Sequence, residues 1–271
     1  MYGHIASTPL AAVGMLVDGA HSLITQSCRD WRGETHRDGW GIGYYEGEQP
    51  RTVRRPTAAP DDPEFVAAAG RIASPMVMGH VRQASVGDLC PANVHPFTCG
   101  RWMFAHNGTV TGYDILRPVL VDETDFDLRQ HVGGTTDSEQ VFFWILSRLR
   151  RAGQAILQPC GDVNLVATEM AAAIRLLDAR SASTGPSEPT RLNFLLTDGV
   201  VLLASRWKHS LWWTNRNGPF DRIVATAGNR SRTSRGVAVA SEPIGDQAWA
   251  EVPDGHVLSV DADFIVRWLR I

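Results

Sequence analysis

Cysteine is scarce: four residues in 271, Cys28, Cys90, Cys99 and Cys160, with no Cys-x-x-Cys pair among them. That spacing offers no structural zinc site. Cys90 and Cys99 are close enough to approach each other around Pro91 to Thr98, but free thiols and a cytoplasmic location are the simpler expectation. Long apolar runs are missing too, so no segment spans a bilayer, and the N-terminus lacks the basic opening of a signal peptide. Positive charge is not in excess. The formal net charge of -3 argues against nucleic acid as the main partner, despite the local groups Arg29, Arg32, Arg37 and Arg51, Arg54, Arg55. Residues 150–271 hold no Gly-rich phosphate loop and no further ionisable cluster beyond scattered arginines such as Arg230, Arg232 and Arg235. No cofactor motif and no second catalytic domain are therefore expected.

What is present is an ordinary globular composition, 44% hydrophobic and 20% charged, in a chain long enough to bury a sizeable core. Residues 1–7 read as a strand. Thr8-Pro9 then has the form of a cap followed by a first-turn proline, predicting a helical region from Leu10 to Ile24. Gly39-Trp-Gly-Ile-Gly-Tyr-Tyr45 is strand-like, and its repeated glycine implies that a backbone or a ligand passes closely. Asp62-Pro63 opens a short helix to Ile72, and Met76 to Arg82 is a strand. Gly87 to Phe97 reads as a long loop leading to a second apolar strand at Trp102. Thr136-Asp-Ser-Glu139 is a capping box ahead of Val141, Phe142, Ile145, Leu146 and Leu149. A second helix covers Leu165 to Ala179, followed by a Ser/Pro/Gly-rich linker at 181–189. Asp198-Gly199 marks a hairpin, and further strands fall at Leu211 to Thr214, Val237 to Ser241, His256 to Val260 and Phe264 to Leu269. Strands, two central helices, then more strands predict an α+β layered architecture, taken as one domain over 1–271.

Two strand ends concentrate the chemistry: Gly79-His-Val-Arg-Gln-Ala-Ser85 and Ala105-His-Asn-Gly108. Asn107 and Gly108 place a side-chain amide beside an unhindered backbone N–H, a pairing suited to a developing oxyanion, though Asn-Gly is equally a hairpin turn signal. The fork of Arg82 fits a carboxylate, and Asp137 at a helix start fits an ammonium group. Each is also readable as a surface salt bridge or a cap. Together they would recognise an α-amino acid with a reactive side-chain carbonyl. A metal-dependent hydrolase is the rival reading, from His36, Asp38, His80, His95 and His106, but their spacing matches no ligand scaffold and no metal is expected.

Five segments carry a resemblance to class II glutamine amidotransferases of the compact bacterial type. They are His36-Arg-Asp-Gly-Trp-Gly-Ile42, Gly79 to Ser85, Asn93-Val-His-Pro-Phe97, Phe104-Ala-His-Asn-Gly108 and Thr136-Asp-Ser-Glu139. The Leu196-Thr-Asp-Gly199 hairpin extends the likeness more loosely. The resemblance implies an N-terminal-nucleophile hydrolase fold, a four-layer αββα sandwich with two antiparallel sheets between helical layers. It also implies that Arg82 holds the α-carboxylate of glutamine, Asp137 its α-amino group, and Asn107 with Gly108 the oxyanion. His36, Asp38, Gly39, Trp40, His80, Ser85, His95 and His106 would support the site.

The family's nucleophile is a cysteine following the initiator methionine. Here that position holds Tyr2, whose phenol has a reference pKa of about 10 against about 8.5 for a thiol. The expectation is therefore a glutaminase-type domain, impaired where Tyr2 replaces the thiol, or a non-catalytic glutamine- or amide-binding regulatory protein. An ammonia-accepting partner protein would need an apolar patch near the pocket, with Trp207, Trp212, Trp213 and Phe220 as candidates.

Overall fold

The computed structural model describes residues 1–215 and 234–271. Phe220, Arg230 and Arg232 lie outside the described residues. In chain order the strands are β1 (Tyr2–Ala11), β2 (Trp40–Glu46), β3 (Gln49–Arg55), β4 (Ala73–Val81), β5 (Phe97–Cys99), β6 (Trp102–Thr109) and β7 (Arg191–Thr197). They continue with β8 (Leu202–Arg206), β9 (Trp212–Asn215), β10 (Gly236–Ala240), β11 (Ala250–Glu251), β12 (His256–Val260) and β13 (Val266–Arg270). The α-helices are α1 (Leu23–Cys28), α2 (Pro63–Arg71), α3 (Tyr113–Glu123), α4 (Phe126–Arg129), α5 (Asp137–Arg151) and α6 (Val163–Ser183).

Period-2 alternation in the strands sends alternate side chains to opposite sheet faces, and this sorts the apolar residues into three cores. One sheet runs β11-β9-β10-β1-β4-β2-β3, the other β13-β12-β8-β7-β6-β5. Among the described residues every strand pairing within them is antiparallel. Met1, Ile5, Met76, Met78, Met103, Ala105, Leu195 and Leu258 fill the space between the sheets. Tyr2, Trp40 and Val77 turn outward to meet Leu23 of α1 and Phe65 of α2. Phe104 and Phe194 turn outward from the second sheet to Phe142, Leu146, Met170 and Ile174 of α5 and α6. The expected α+β, four-layer αββα sandwich is the observed fold.

Helix α5 is buried along nearly its whole length because it lies in the middle of its layer. Its N-cap is half of the expected box. Thr136 accepts from the Glu139 amide at 3.2 Å, but the Glu139 carboxylate accepts from Gly133 and Gly134 instead of turning back to Thr136. The glycine repeat in β2 answers to neighbouring protein atoms. A Cβ at Gly41 would lie 1.9 Å from the His95 carbonyl oxygen, and one at Gly43 would lie 2.1 Å from Met103 Sδ.

Three expectations need correction. Leu10 to Ile24 is not one helix. β1 continues to Ala11, followed by a single π-helical turn at Gly14–Asp18 and then α1. Pro9 is accommodated because the β1–β4 register shifts between Ile5 and Leu10, where a missing N–H removes no ladder bond. Asn107-Gly108 is not a turn but lies inside β6, paired with Asn193 and Leu192 of β7. Helices α3 and α4 went unpredicted; α3 holds Pro118 and exposes Ile115 and Val119, which blurs its period.

Candidate active site

The strand ends of both sheets open into one cleft of about 920 Å³. From the first sheet come His80 and the residues that follow β4, Arg82 and Ser85. From the second come His106, Asn107 and Gly108 of β6, and the cleft also takes in His95, Asp137 at the start of α5, and His36. Nine of the residues singled out from sequence therefore do meet.

Arg82 is buried, and its guanidinium donates to three carbonyls of its own following loop, Val86 at 2.8 Å, Gly87 at 3.1 Å and Asp88 at 3.2 Å. Five N–H groups less three leaves two for a ligand. Asp137 is likewise occupied in part. Oδ2 accepts from the Val110 amide at 2.7 Å, and Oδ1 accepts from the Ser138 amide and hydroxyl at 2.8 and 3.2 Å. One lone-pair direction on Oδ2 remains. Asn107 Nδ2 donates to Ser241 Oγ at 2.8 Å, leaving its second N–H, and Ser241 in turn donates its amide to the Met1 carbonyl. Gly108 has φ 145°, and a Cβ there would sit 2.1 Å from the Arg191 carbonyl oxygen, so only glycine fits. Ser85 and Thr109 share a hydroxyl contact of 3.0 Å across the cleft wall.

The histidines divide by their partners. His106 uses both ring nitrogens, with Ser138 Oγ and the Arg191 carbonyl each at 2.9 Å. His36 pairs with Asp30 at 3.1 Å, which together with two backbone amides lowers the Asp30 carboxyl against the opposing effect of burial. His80 and His95 are buried with ring centroids 4.3 Å apart. His80 Nδ1 and both nitrogens of His95 have no hydrogen-bond partner. Burial, followed by mutual repulsion for His80 and repulsion from His106 for His95, drives both well below the ordinary imidazole value. Among the described residues no group of three or more His, Cys, Asp and Glu converges to hold a metal.

Four predicted site residues stand outside the cleft lining. Tyr2 is fully buried in the helix-side core, and its hydroxyl lies 2.9 Å from His4 Nδ1. Odd positions of β1 face the other sheet, so position 2 faces the helices. Trp40 is also fully buried, donating to Asp62 at 3.0 Å and meeting Phe65 edge-on. Asp38 accepts from the Ala84 amide at 2.8 Å, and the Gly39 carbonyl accepts from the Arg82 amide at 2.7 Å. These two set the strand end from behind. Cys28 is exposed, and no cysteine lines the cleft.

Sequence reading missed one wall entirely: Asp30, Arg32 and Glu34, facing Arg191 and His209. Asp30 folds this wall by accepting from the Arg32 and Glu34 amides at 2.9 and 2.8 Å. The polar, arginine-bearing sequence of this stretch carries no signal that tells which way it faces. Trp207, Trp212 and Trp213 are only partly exposed; Trp213 packs edge-on against Trp268, and Trp212 against Trp31. No helix among the described residues is long and apolar enough to cross a membrane.

The two-sheet sandwich with helical outer layers and a cleft at the strand ends matches the N-terminal-nucleophile hydrolase type of fold that the sequence resemblance implies. The model of the family "Glutamine amidotransferases class-II" matches residues 12–268, and the chain belongs to that family. YafJ of Escherichia coli, named as a glutamine amidotransferase, is 31% identical over 82% of this chain and 84% of its own length. The gamma-glutamyl-hercynylcysteine sulfoxide hydrolase of Mycobacterium tuberculosis is 29% identical over 93% of this chain and 88% of its own length. The solved structure of a glutamine aminotransferase class-II domain protein from Silicibacter pomeroyi superposes with a TM-score of 0.67 at 23% identity. It covers 100% of this chain and 98% of that one, and it bears on the fold alone.

Proposed function

We propose that the cleft binds glutamine or a related γ-glutamyl amide. Arg82 takes the α-carboxylate, Asp137 the α-ammonium, and Asn107 with Gly108 the side-chain carbonyl oxygen. The observation that carries this reading is that three residues lining one cleft keep bonding positions unused: two N–H groups on Arg82, one lone pair on Asp137 and one N–H on Asn107. A cleft of about 920 Å³ is at the upper end for small-molecule sites, and favours a γ-glutamyl conjugate over free glutamine alone.

The reaction this binding serves is amide hydrolysis to a γ-carboxylate and an amine or ammonia. Thiol chemistry is impaired here, because Tyr2 stands at the nucleophile position with its phenol turned to the opposite sheet face. That orientation favours, as a second reading, a non-catalytic amide-binding regulatory role. The form proposed is a single domain over 1–271 acting on a small amide, with an ammonia-accepting partner protein seated at the partly exposed Trp207, Trp212 and Trp213 as the alternative.

Calorimetry with glutamine and γ-glutamyl amides tests the binding set. Arg82→Ala should weaken binding by roughly 10- to 100-fold, the worth of a charged hydrogen bond. Unchanged affinity in Arg82→Ala would remove the carboxylate assignment. Ammonia release by a Tyr2→Cys form with its methionine removed, exceeding that of the unaltered chain, would identify the missing thiol as the impairment.

A further inference from the structure

The side chain of Asn107 is held from the opposite sheet. In its own sheet the Asn107 backbone pairs with Asn193 of β7, but the Asn193 side chain is turned to the loop after β8. There its Nδ2 donates to the Ser210 carbonyl and its Oδ1 accepts from the Trp207 amide, each at 2.8 Å. Among the described residues the one side-chain partner of Asn107 is Ser241, whose Oγ accepts from Nδ2 at 2.8 Å. Ser241 directly follows β10 of the first sheet, so this bond crosses from one sheet to the other beside the cleft. Asn107 lines the cleft and is partly exposed, whereas Ser241 is buried and takes no part in the lining. Backbone on both sides fixes where the serine hydroxyl sits. The Ser241 amide donates to the Met1 carbonyl at 2.9 Å, extending the β1–β10 ladder past Tyr2↔Ala240. Glu242 is buried, accepts from the Trp31 amide at 2.9 Å and pairs with His21. The Gly245 amide then donates to the Ala20 carbonyl at 2.7 Å.

We propose that Ser241 is the positioning residue of the carbonyl-binding site: its hydroxyl fixes the Asn107 amide so that the second N–H of Nδ2 meets the side-chain carbonyl oxygen of a bound γ-glutamyl amide. This rests on the reading that the cleft binds such an amide with Asn107 at its carbonyl. The carboxamide of asparagine turns on a broad, shallow torsion, so a donor on it is well aimed only when something holds its plane. Ser241 Oγ takes one N–H and thereby sets the direction of the other, since both leave the same nitrogen in one plane. The hydroxyl itself never touches the ligand. Its influence is confined to the carbonyl end, because the groups assigned to the other end have partners of their own. Arg82 is held by the carbonyls of 86–88, and Asp137 by Val110 and Ser138. Loss of Ser241 therefore acts through Asn107 alone, and has nothing left to remove once that amide is gone.

A double-mutant cycle on the whole chain tests this, with calorimetry of L-glutamine and γ-glutamyl-p-nitroanilide binding. Ser241→Ala is expected to weaken both ligands about 3- to 10-fold, the worth of one neutral hydrogen bond. In an Asn107→Ala background the same change should have no further effect. Ser241→Cys keeps the volume with a weaker acceptor and should lose affinity as well, so the test does not hang on the alanine variant. Proton–nitrogen NMR reads the positioning directly: without ligand, Ser241→Ala should displace the Asn107 side-chain amide signals, and glutamine added to the unaltered chain should move them too. Three outcomes overturn the inference while sparing the binding reading. They are unchanged affinity in Ser241→Ala, equal losses with and without the Asn107 amide, or Asn107 signals indifferent to Ser241→Ala. An Asn107→Ala form that binds like the unaltered chain would remove the carbonyl assignment on which the inference stands. Absence of binding of either ligand to the unaltered chain would bring down the binding reading itself, and the inference with it.

Discussion

The buried histidines carry a cost that depends on pH. His80 and His95 titrate well below 6.5 in the folded chain because burial penalises the imidazolium, and His209 is brought down to about 4 for the same reason. In the unfolded chain they take up protons near their ordinary value. The unfolded state therefore binds more protons as pH falls below about 6.5, and stability drops on the acid side. Each such group contributes a slope of up to about 1.4 kcal/mol per pH unit there, and none above it. Urea unfolding from pH 7.5 to 5 should show this loss, and a His80→Gln, His95→Gln double variant should flatten it. An unchanged slope in the double variant would place the acid sensitivity elsewhere.

Among the elements, α5 joins stability to the site, since its first residue is Asp137. Thr136→Ala removes the side chain that accepts from the Glu139 amide and should cost about 1 kcal/mol in urea unfolding. A loss well above 2 kcal/mol would mean that the helix start holds the cleft wall as well. This helix was legible because Thr-x-x-Glu precedes a periodic apolar run. The Asp198-Gly199 hairpin and β4 were legible for similar local reasons. β1 was cut short because Pro9 reads as a helix start, and only the register shift against β4 explains its place in a strand. The candidate site was readable in Arg82, Asn107, Gly108, Asp137 and the histidines, all of which reach one cleft. Tyr2 and Trp40 were not, since the face a strand residue occupies depends on which sheet face is covered by helices. Nor was the 30–34 wall, which is positioned by contacts remote in sequence, such as the Trp31 amide donating to Glu242 at 2.9 Å.

At the scale of the whole molecule, the last third of the chain is built into both sheets. β10 lies beside β1 in one sheet, while β7 lies between β6 and β8 in the other, with seven residue pairs, Met103↔Thr197 to Thr109↔Arg191, joining it to β6. The connection between α6 and β7 is short and exposed around Gly185 to Pro189. Such interleaving has a mechanical consequence: the peptide bond in that connection is not what keeps the two portions together. A protease site introduced at 185–188 should yield two pieces that elute as one species from a gel-filtration column and part only in denaturant. Glutamine binding should survive the cut, because Arg191 of the cleft stays paired with Thr109 through β7 and β6. Pieces that drift apart under native conditions would mean that the chain folds as two separable bodies, and that its continuity, not its interlacing, holds the cleft shut.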